Sequence, residues 1–200
     1  MEPGILFMED AARSAVPGEL DQMTPTDDEI VRRVRDGDAH AYRLLLERHY
    51  PKALRFGIRM LGNRADAEEA VQDAFTRAYR SLGRYEPRQR FDSWLMTILV
   101  NRCRTAGARR DRRERTFVSY DVIEDFVALD DGPSEPRIEL QRALALLSDE
   151  EREALLLKYL DDRTYEDMAA LTGSGVSALK MRVKRARERL QALLGRGYDA

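Results

Sequence analysis

"DDRTYEDMAALTGSGVSALKMRVKRARERL", residues 161–190, decides how this chain is read. Thr164 and Asp167 stand three apart, the spacing of a capping box that satisfies free amides at a helix start. Tyr165, Met168, Ala169 and Leu171 give the short helix that follows an apolar face. Gly173 and Gly175 supply the backbone freedom that a tight turn needs. In the next helix Val176, Leu179, Val183, Ala186 and Leu190 recur three or four residues apart, with either Ser174 or Gly175 as the cap. Between them stand Lys180, Met181, Arg182, Lys184, Arg185, Arg187 and Arg189. This is the pattern of a helix-turn-helix, whose second helix enters the major groove of DNA. Cations there favour approach to phosphates, and side chains near the helix start reach base edges. A solvated basic face on an ordinary helix bundle is the alternative. It explains the charge but not the agreement of cap, glycine turn and cation placement.

A net charge of −2 over 200 residues argues against a nucleic-acid partner until it is divided along the chain. Residues 1–25 sum to −4, residues 26–115 to +7, residues 116–136 to −6 and residues 137–200 to +1. Segregation of this kind, more than the mean, determines which partners are attracted. No apolar run approaches the roughly 20 residues that cross a bilayer. The start, "MEPGILFMEDAARSAVPGEL", has no basic leading region and meets acids at once, so no secretory signal is expected. Met8 and Met23 leave open a translation start downstream of Met1. Cys103 is alone, and His40 and His49 stand nine apart without further ligands, so neither a disulfide nor a metal centre is expected. The expectation is a cytoplasmic protein without cofactor.

Working outward, residues 1–25 lack periodicity and read as a flexible tail. Order is expected from "TDDEIVRRVRDGD", where Thr26 and Glu29 repeat the capping-box spacing, Ile30, Val31 and Val34 form a stripe and Gly37 ends the helix. Asp38 caps a long helical stretch to Gly62, which Pro51 is expected to kink or split. "DAEEAVQDAFTRAYRSL" places Ala67, Ala70, Val71, Ala74, Phe75, Ala78 and Leu82 on one face. A loop containing "RYEPRQR" leads to "FDSWLMTILVNRCRTAGARR", with Phe91, Trp94, Leu95 and Ile98 as its apolar face. Residues 116–136 are acidic, contain Pro133 and Pro136, and read as a flexible linker. Beyond it come "PRIELQRALALL", a helix capped by Ser148 with Glu151, and the helix-turn-helix. The expected fold is all-α: two small helical domains, 26–115 and 137–196, joined by the acidic linker.

These blocks resemble the extracytoplasmic-function (ECF) type of bacterial RNA polymerase sigma factor. The likeness covers roughly residues 26 to 195. It rests on "DAEEAVQDAFTRAYRSL" with "RFDSWLMTILVNRCRTAGARRDRR", and on "LSDEEREALLLKYLDDRTYEDMAALTGSGVSALKMRVKRARERL". The resemblance implies a protein that binds core RNA polymerase, directs it to promoters, helps open the DNA and is not itself an enzyme. It further implies an anti-sigma partner that wedges against both domains, which the linker lets close and later separate.

The same resemblance implies three surfaces. Asp66, Glu69, Gln72, Asp73, Thr76 and Arg77 match exposed positions with which sigma factors grip the polymerase clamp helices. A carboxylate metal site at Glu69 and Asp73 is set aside, because no histidine or further carboxylate pattern completes it. Tyr85, Arg88, Arg90 and Asn101 match the surface that reads the minus-ten element and holds one unpaired base, with Asn101 near the captured base. Tyr85 is open between packing and stacking, whereas Trp94 belongs to the core. Arg102, Arg104, Arg109, Arg110, Arg112 and Arg113 are the phosphate contacts. For the minus-thirty-five element, Lys180, Met181, Lys184 and Arg185 match base-reading positions, and Arg182 and Arg187 suit phosphates. Ala178, Met181 and Lys184 depart from the residues common in relatives, so the preferred upstream sequence does not carry over.

Two other classes fit the helix-turn-helix alone. A ligand-sensing regulator requires a pocket and a dimer, and an enzyme with a DNA-binding tail requires a nucleophile with a base or clustered ligands. Nothing in "DAEEAVQDAFTRAYRSL" calls for a pocket or a dimer, and two isolated histidines supply neither a nucleophile with its base nor clustered ligands.

Overall fold

The computed structural model describes residues 25–87, 90–113 and 135–195, the side chains of residues 109–113 and 135–137 excepted. The helices are α1 (Asp27–Arg35), α2 (Tyr42–Leu61), α3 (Arg64–Ser81), α4 (Phe91–Arg113), α5 (Glu135–Ala145), α6 (Asp149–Tyr159), α7 (Tyr165–Thr172) and α8 (Val176–Gly195). Short 3-10 turns, Ala39–Ala41 and Leu82–Arg84, precede α2 and follow α3. No strand occurs among the described residues. The expected tail, apart from Pro25, and residues 116–134 of the expected linker lie outside the described residues; Glu135 and Pro136 already belong to α5.

Three helix starts are those the sequence announces. Thr26 with Glu29, Ser148 with Glu151 and Thr164 with Asp167 each form both bonds of a capping box. Asn63 caps α3 by accepting the Asp66 amide at 2.9 Å. Asp38 caps the 3-10 turn ahead of α2 and not α2 itself. Pro51 does not split α2, which runs through it unbroken. Pro51 is exposed, as is Glu47 one turn earlier, so the carbonyl deprived of a helical donor faces water.

In the first half, α2, α3 and α4 pack around Leu45, Phe56, Met60, Val71, Phe75, Leu95 and Leu99, all at most 3% exposed. Helices α2 and α3 come close because small residues meet: a Cβ added at Gly57 would stand 3.3 Å from the Ala67 Cβ. The α1 helix closes one end through Ile30 and Val31. In the second half, Leu157, Met168, Leu171, Leu179, Val183 and Ala186 join α6, α7 and α8. The two halves are not separate bodies here. Helix α4 packs on α6 and α7, α2 packs on α6, and the buried apolar residues of both halves form one continuous cluster. No described helix is long and apolar enough to cross a membrane.

Candidate nucleic-acid interface

The turn between α7 and α8 is set by backbone chemistry. Gly173 adopts a left-handed conformation (φ 69°) and donates its N–H to the Ala169 carbonyl at 2.9 Å. The Gly175 carbonyl receives the Leu179 N–H at 3.0 Å, so Gly175, of the two candidates, opens α8. Thr172 Oγ1 donates to the Met168 carbonyl at 2.8 Å and accepts the Ser174 N–H at 3.3 Å, bracing the same corner. With Leu179, Val183 and Ala186 buried, the opposite face of α8 is turned outward.

That outward face carries Lys180, Met181, Lys184, Arg185 and Arg187, all exposed, with Met181 at 47%. An exposed methionine among cations offers an apolar contact of the kind a thymine methyl takes. Lys180 Nζ lies 5.6 Å from the centre of the Tyr165 ring, and Lys158 Nζ lies 5.2 Å from it. Arg182 is less available: it pairs with Glu150 at 2.9 Å and donates to Ser174 Oγ at 3.0 Å. Lys184 stands 3.8 Å from Glu188, both exposed, a contact too solvated to hold it.

On α4, Asn101 is exposed and Cys103 beside it is 1% exposed. Burial, with Glu153 nearby, pushes the Cys103 thiol up to about 12, which keeps it protonated and unreactive. Arg102 reaches back to Asp73 of α3 at 3.2 Å and to Thr105 at 3.4 Å. Arg104 makes a two-pronged pair with Glu153 of α6, both contacts at 2.7 Å. Arg90 is exposed. Arg88 and the side chains of Arg109, Arg110, Arg112 and Arg113 lie outside the described residues.

Of the two roles left open for Tyr85, the described conformation has the packed one, with the ring turned away from the surface expected to meet the minus-ten element. The residue is 2% exposed, with its ring against Phe91 (5.8 Å) and Trp94 (5.3 Å). Its hydroxyl donates to Asp28 at 2.7 Å, and burial together with that carboxylate raises its pKa. Arg35 bonds the Leu82 and Tyr85 carbonyls, fixing the turn that carries the ring inward. Trp94 is half-buried in the same aromatic group.

On α3, Glu69, Gln72 and Arg77 are exposed, and Asp66, Asp73 and Thr76 are partly so. Asp73 lies between two cations, with Arg77 at 2.9 Å and Arg102 at 3.2 Å. Burial opposes its ionisation, but the two guanidinium groups outweigh it and lower its pKa. Thr76 Oγ1 turns back to the Gln72 carbonyl at 2.8 Å. Among the described residues, no group of three or more His, Cys, Asp or Glu side chains is placed to hold a metal ion.

Sequence reasoning assigned nothing to Lys52, Asp92, Ser93, Glu153, Asp161 and Arg163, yet these residues join the two halves. Arg163, 4% exposed, bonds Asp161, Ser93 and Asp92 at once. Lys52 is 3.2 Å from Asp92 and touches Asp161 Oδ1 as an ion contact without hydrogen-bond geometry. Burial opposes ionisation of Asp92, but Arg163 and Lys52 prevail and hold its carboxyl below the usual 3.8. With the folded pKa depressed, the stability from this pairing is complete above the usual carboxylate range. It is lost as pH falls through the lower folded value. The partners stand 40 and 71 residues apart, and no local motif announces such a meeting.

Comparison with known proteins gives a consistent picture. The family description "Sigma-70 region 2" matches residues 45–113, and "Sigma-70, region 4" matches residues 137–190. The RNA polymerase sigma factor CarQ of Myxococcus xanthus is 38% identical over 82% of this chain and 95% of its own length. The ECF RNA polymerase sigma-E factor of Haemophilus influenzae is 31% identical over 83% of this chain and 94% of its own. Among solved structures, the sigma factor RpoE of Bartonella quintana, in complex with the anti-sigma factor NepR, superposes with a TM-score of 0.62. The identity is 31%, over 72% of this chain and 91% of that one. CnrH, in complex with the cytosolic domain of CnrY, also gives 0.62, with 27% identity over 84% of this chain and 97% of that one.

Proposed function

The chain belongs to the sigma-70 family, in its extracytoplasmic-function group of RNA polymerase sigma factors, and on that premise we propose how its surfaces divide the work. The protein binds core RNA polymerase and directs promoter-specific initiation; it is an initiation factor and not an enzyme. Helix α8 reads the minus-thirty-five element through Lys180, Met181, Lys184 and Arg185, while Arg182 and Arg187 take phosphates. The exposed side of α4 takes the minus-ten element, with Asn101 near a base held outside the stack, and Arg90, Arg102 and Arg104 along the backbone. The polar face of α3 grips core polymerase. The protein acts in the cytoplasm, where its polymerase and promoters are, under an anti-sigma factor, a reading supported by RpoE, whose structure is in complex with the anti-sigma factor NepR.

The observation that supports this reading is α8 itself: one face is anchored by Leu179, Val183 and Ala186, and the other exposes cations and Met181, the two-sided character a helix needs to enter a major groove. Purified protein mixed with core polymerase should co-migrate with it and support transcription from its own promoters; absence of both would end the assignment. In that assay Arg185→Ala should weaken use of the upstream element by about 1–3 kcal/mol if it contacts a base. A footprint unchanged over that element would remove Arg185 from base reading. Asn101→Ala should lower open-complex formation more than initial duplex binding, because capture of a base matters only once strands part. Equal losses in both steps would refute the capture role.

A further inference from the structure

The outward face of α8 is not uniformly charged. Ala178 and Met181, three residues apart, are both exposed on it, while Leu179, Val183 and Ala186 already supply the face that the core needs. Met181, at 47%, is therefore an apolar side chain that folding leaves in water. Among the described residues it is the one large exposed hydrophobic side chain of the helix-turn-helix.

The neighbouring cations are directed elsewhere. Lys180 is drawn to the Tyr165 ring, with Nζ 5.6 Å from its centre. Lys184 Nζ reaches towards Glu188, one turn further on, at 3.8 Å. Arg182 is held by Glu150 at 2.9 Å and by Ser174 Oγ at 3.0 Å. The charges stand around Ala178 and Met181, and a strip of apolar surface is left between them.

In the major groove the base edges present donors, acceptors and one apolar group, the C5-methyl of thymine. Residues three apart on a helix are separated by about 4.5 Å along its axis. Base pairs rise by about 3.4 Å, so Ala178 and Met181 meet neighbouring pairs when α8 lies along the groove. Ala178 offers a single methyl close to the backbone. Met181 has a long, unbranched side chain whose thioether adapts to the position of its partner. Neither forms a strong hydrogen bond. Set against the amino group of adenine or cytosine, they would displace water from a donor without replacing the bond, which carries a penalty. The same strip against a methyl group buries apolar surface on both sides.

We propose that Ala178 and Met181 read the C5-methyl groups of thymines at two neighbouring base pairs of the upstream element. This rests on the assignment of α8 to that element. Cations attract the helix to DNA of any sequence, and the apolar strip narrows the choice.

The test loads core polymerase with the full chain and selects from random-sequence duplexes. The selected duplexes are then remade with deoxyuridine in place of each thymine of the upstream element. That exchange removes the methyl, keeps every hydrogen-bonding group of the base edge and leaves the protein untouched. Thymine at two adjacent selected positions is expected, with binding weakened by about fourfold for each methyl lost. Met181→Gln alters an exposed residue and keeps the length of the side chain. In this variant the uridine exchange opposite residue 181 should no longer change affinity, and repeated selection should favour adenine there. Selected elements without neighbouring thymines, equal affinity for thymine and deoxyuridine duplexes, or an undiminished uridine penalty in Met181→Gln would each overturn methyl reading. Enrichment of no upstream sequence at all overturns instead the assignment of α8 on which it rests.

Discussion

Replacing Glu69 and Asp73 together by lysine is expected to abolish measurable assembly with core RNA polymerase while the helical circular dichroism stays the same. Both residues lie on the outward side of α3, one turn apart, with Glu69 exposed and Asp73 partly so. If this face meets cations on polymerase, reversal sets like charges against each other, at a cost of several kcal/mol. The cost to folding is much smaller. Asp73 loses Arg77 and Arg102, but such partly solvated pairs contribute about 0.2–1 kcal/mol each. Titration of core polymerase with the variant, followed by gel filtration, separates the two effects. Co-migration at the unsubstituted protein's affinity would take α3 out of the contact surface.

Phe75→Ala, on the opposite side of the same helix, should do the reverse. Phe75 is 1% exposed, its ring stands 6.1 Å from that of Tyr50, and its carbonyl accepts the Tyr42 hydroxyl at 2.7 Å. The backbone bond survives the substitution, but the ring leaves a cavity among α2, α3 and α4. Truncation of a buried Phe costs about 3–5 kcal/mol. That is a large part of the 5–15 kcal/mol typical of a domain. At about 2–4 °C per kcal/mol for a chain of this size, the melting temperature should fall by roughly 10 °C. A melting temperature lowered by less than about 3 °C would mean that α3 is not packed as described. The contrast between these two variants tests the two faces of α3 separately, the charged outward one against polymerase and the apolar one in the core.

The starts of α1, α6 and α7 were legible because a capping box is a local event: two residues three apart satisfy each other's backbone without help from the rest of the chain. Gly173 was legible for the same reason, since a left-handed residue has to sit where one helix ends and the next turns away. Pro51 shows the limit of such rules. Its effect on α2 depended on where the deprived carbonyl pointed, and exposure on that side left the helix whole. Tyr85 marks the limit on the functional side. An aromatic residue beside arginines suits either a base or a core, and only the meeting with Phe91, Trp94 and Asp28, the last 57 residues away, placed it inside.

The sequence by itself determined that the chain is helical, where most helices begin and end, that a helix-turn-helix closes it, and which family it belongs to. All of these follow from contacts between residues a few positions apart, or from motifs carried whole. Only the tertiary structure decided which cations remain exposed and which are paired within the protein. Arg104 and Arg185 look alike in sequence, yet one is gripped by Glu153 of another helix and the other is exposed. The reason is that a charge is stabilised by whatever the fold places within a few ångströms of it, and for Arg104, Arg163 and Lys52 those neighbours come from distant parts of the chain.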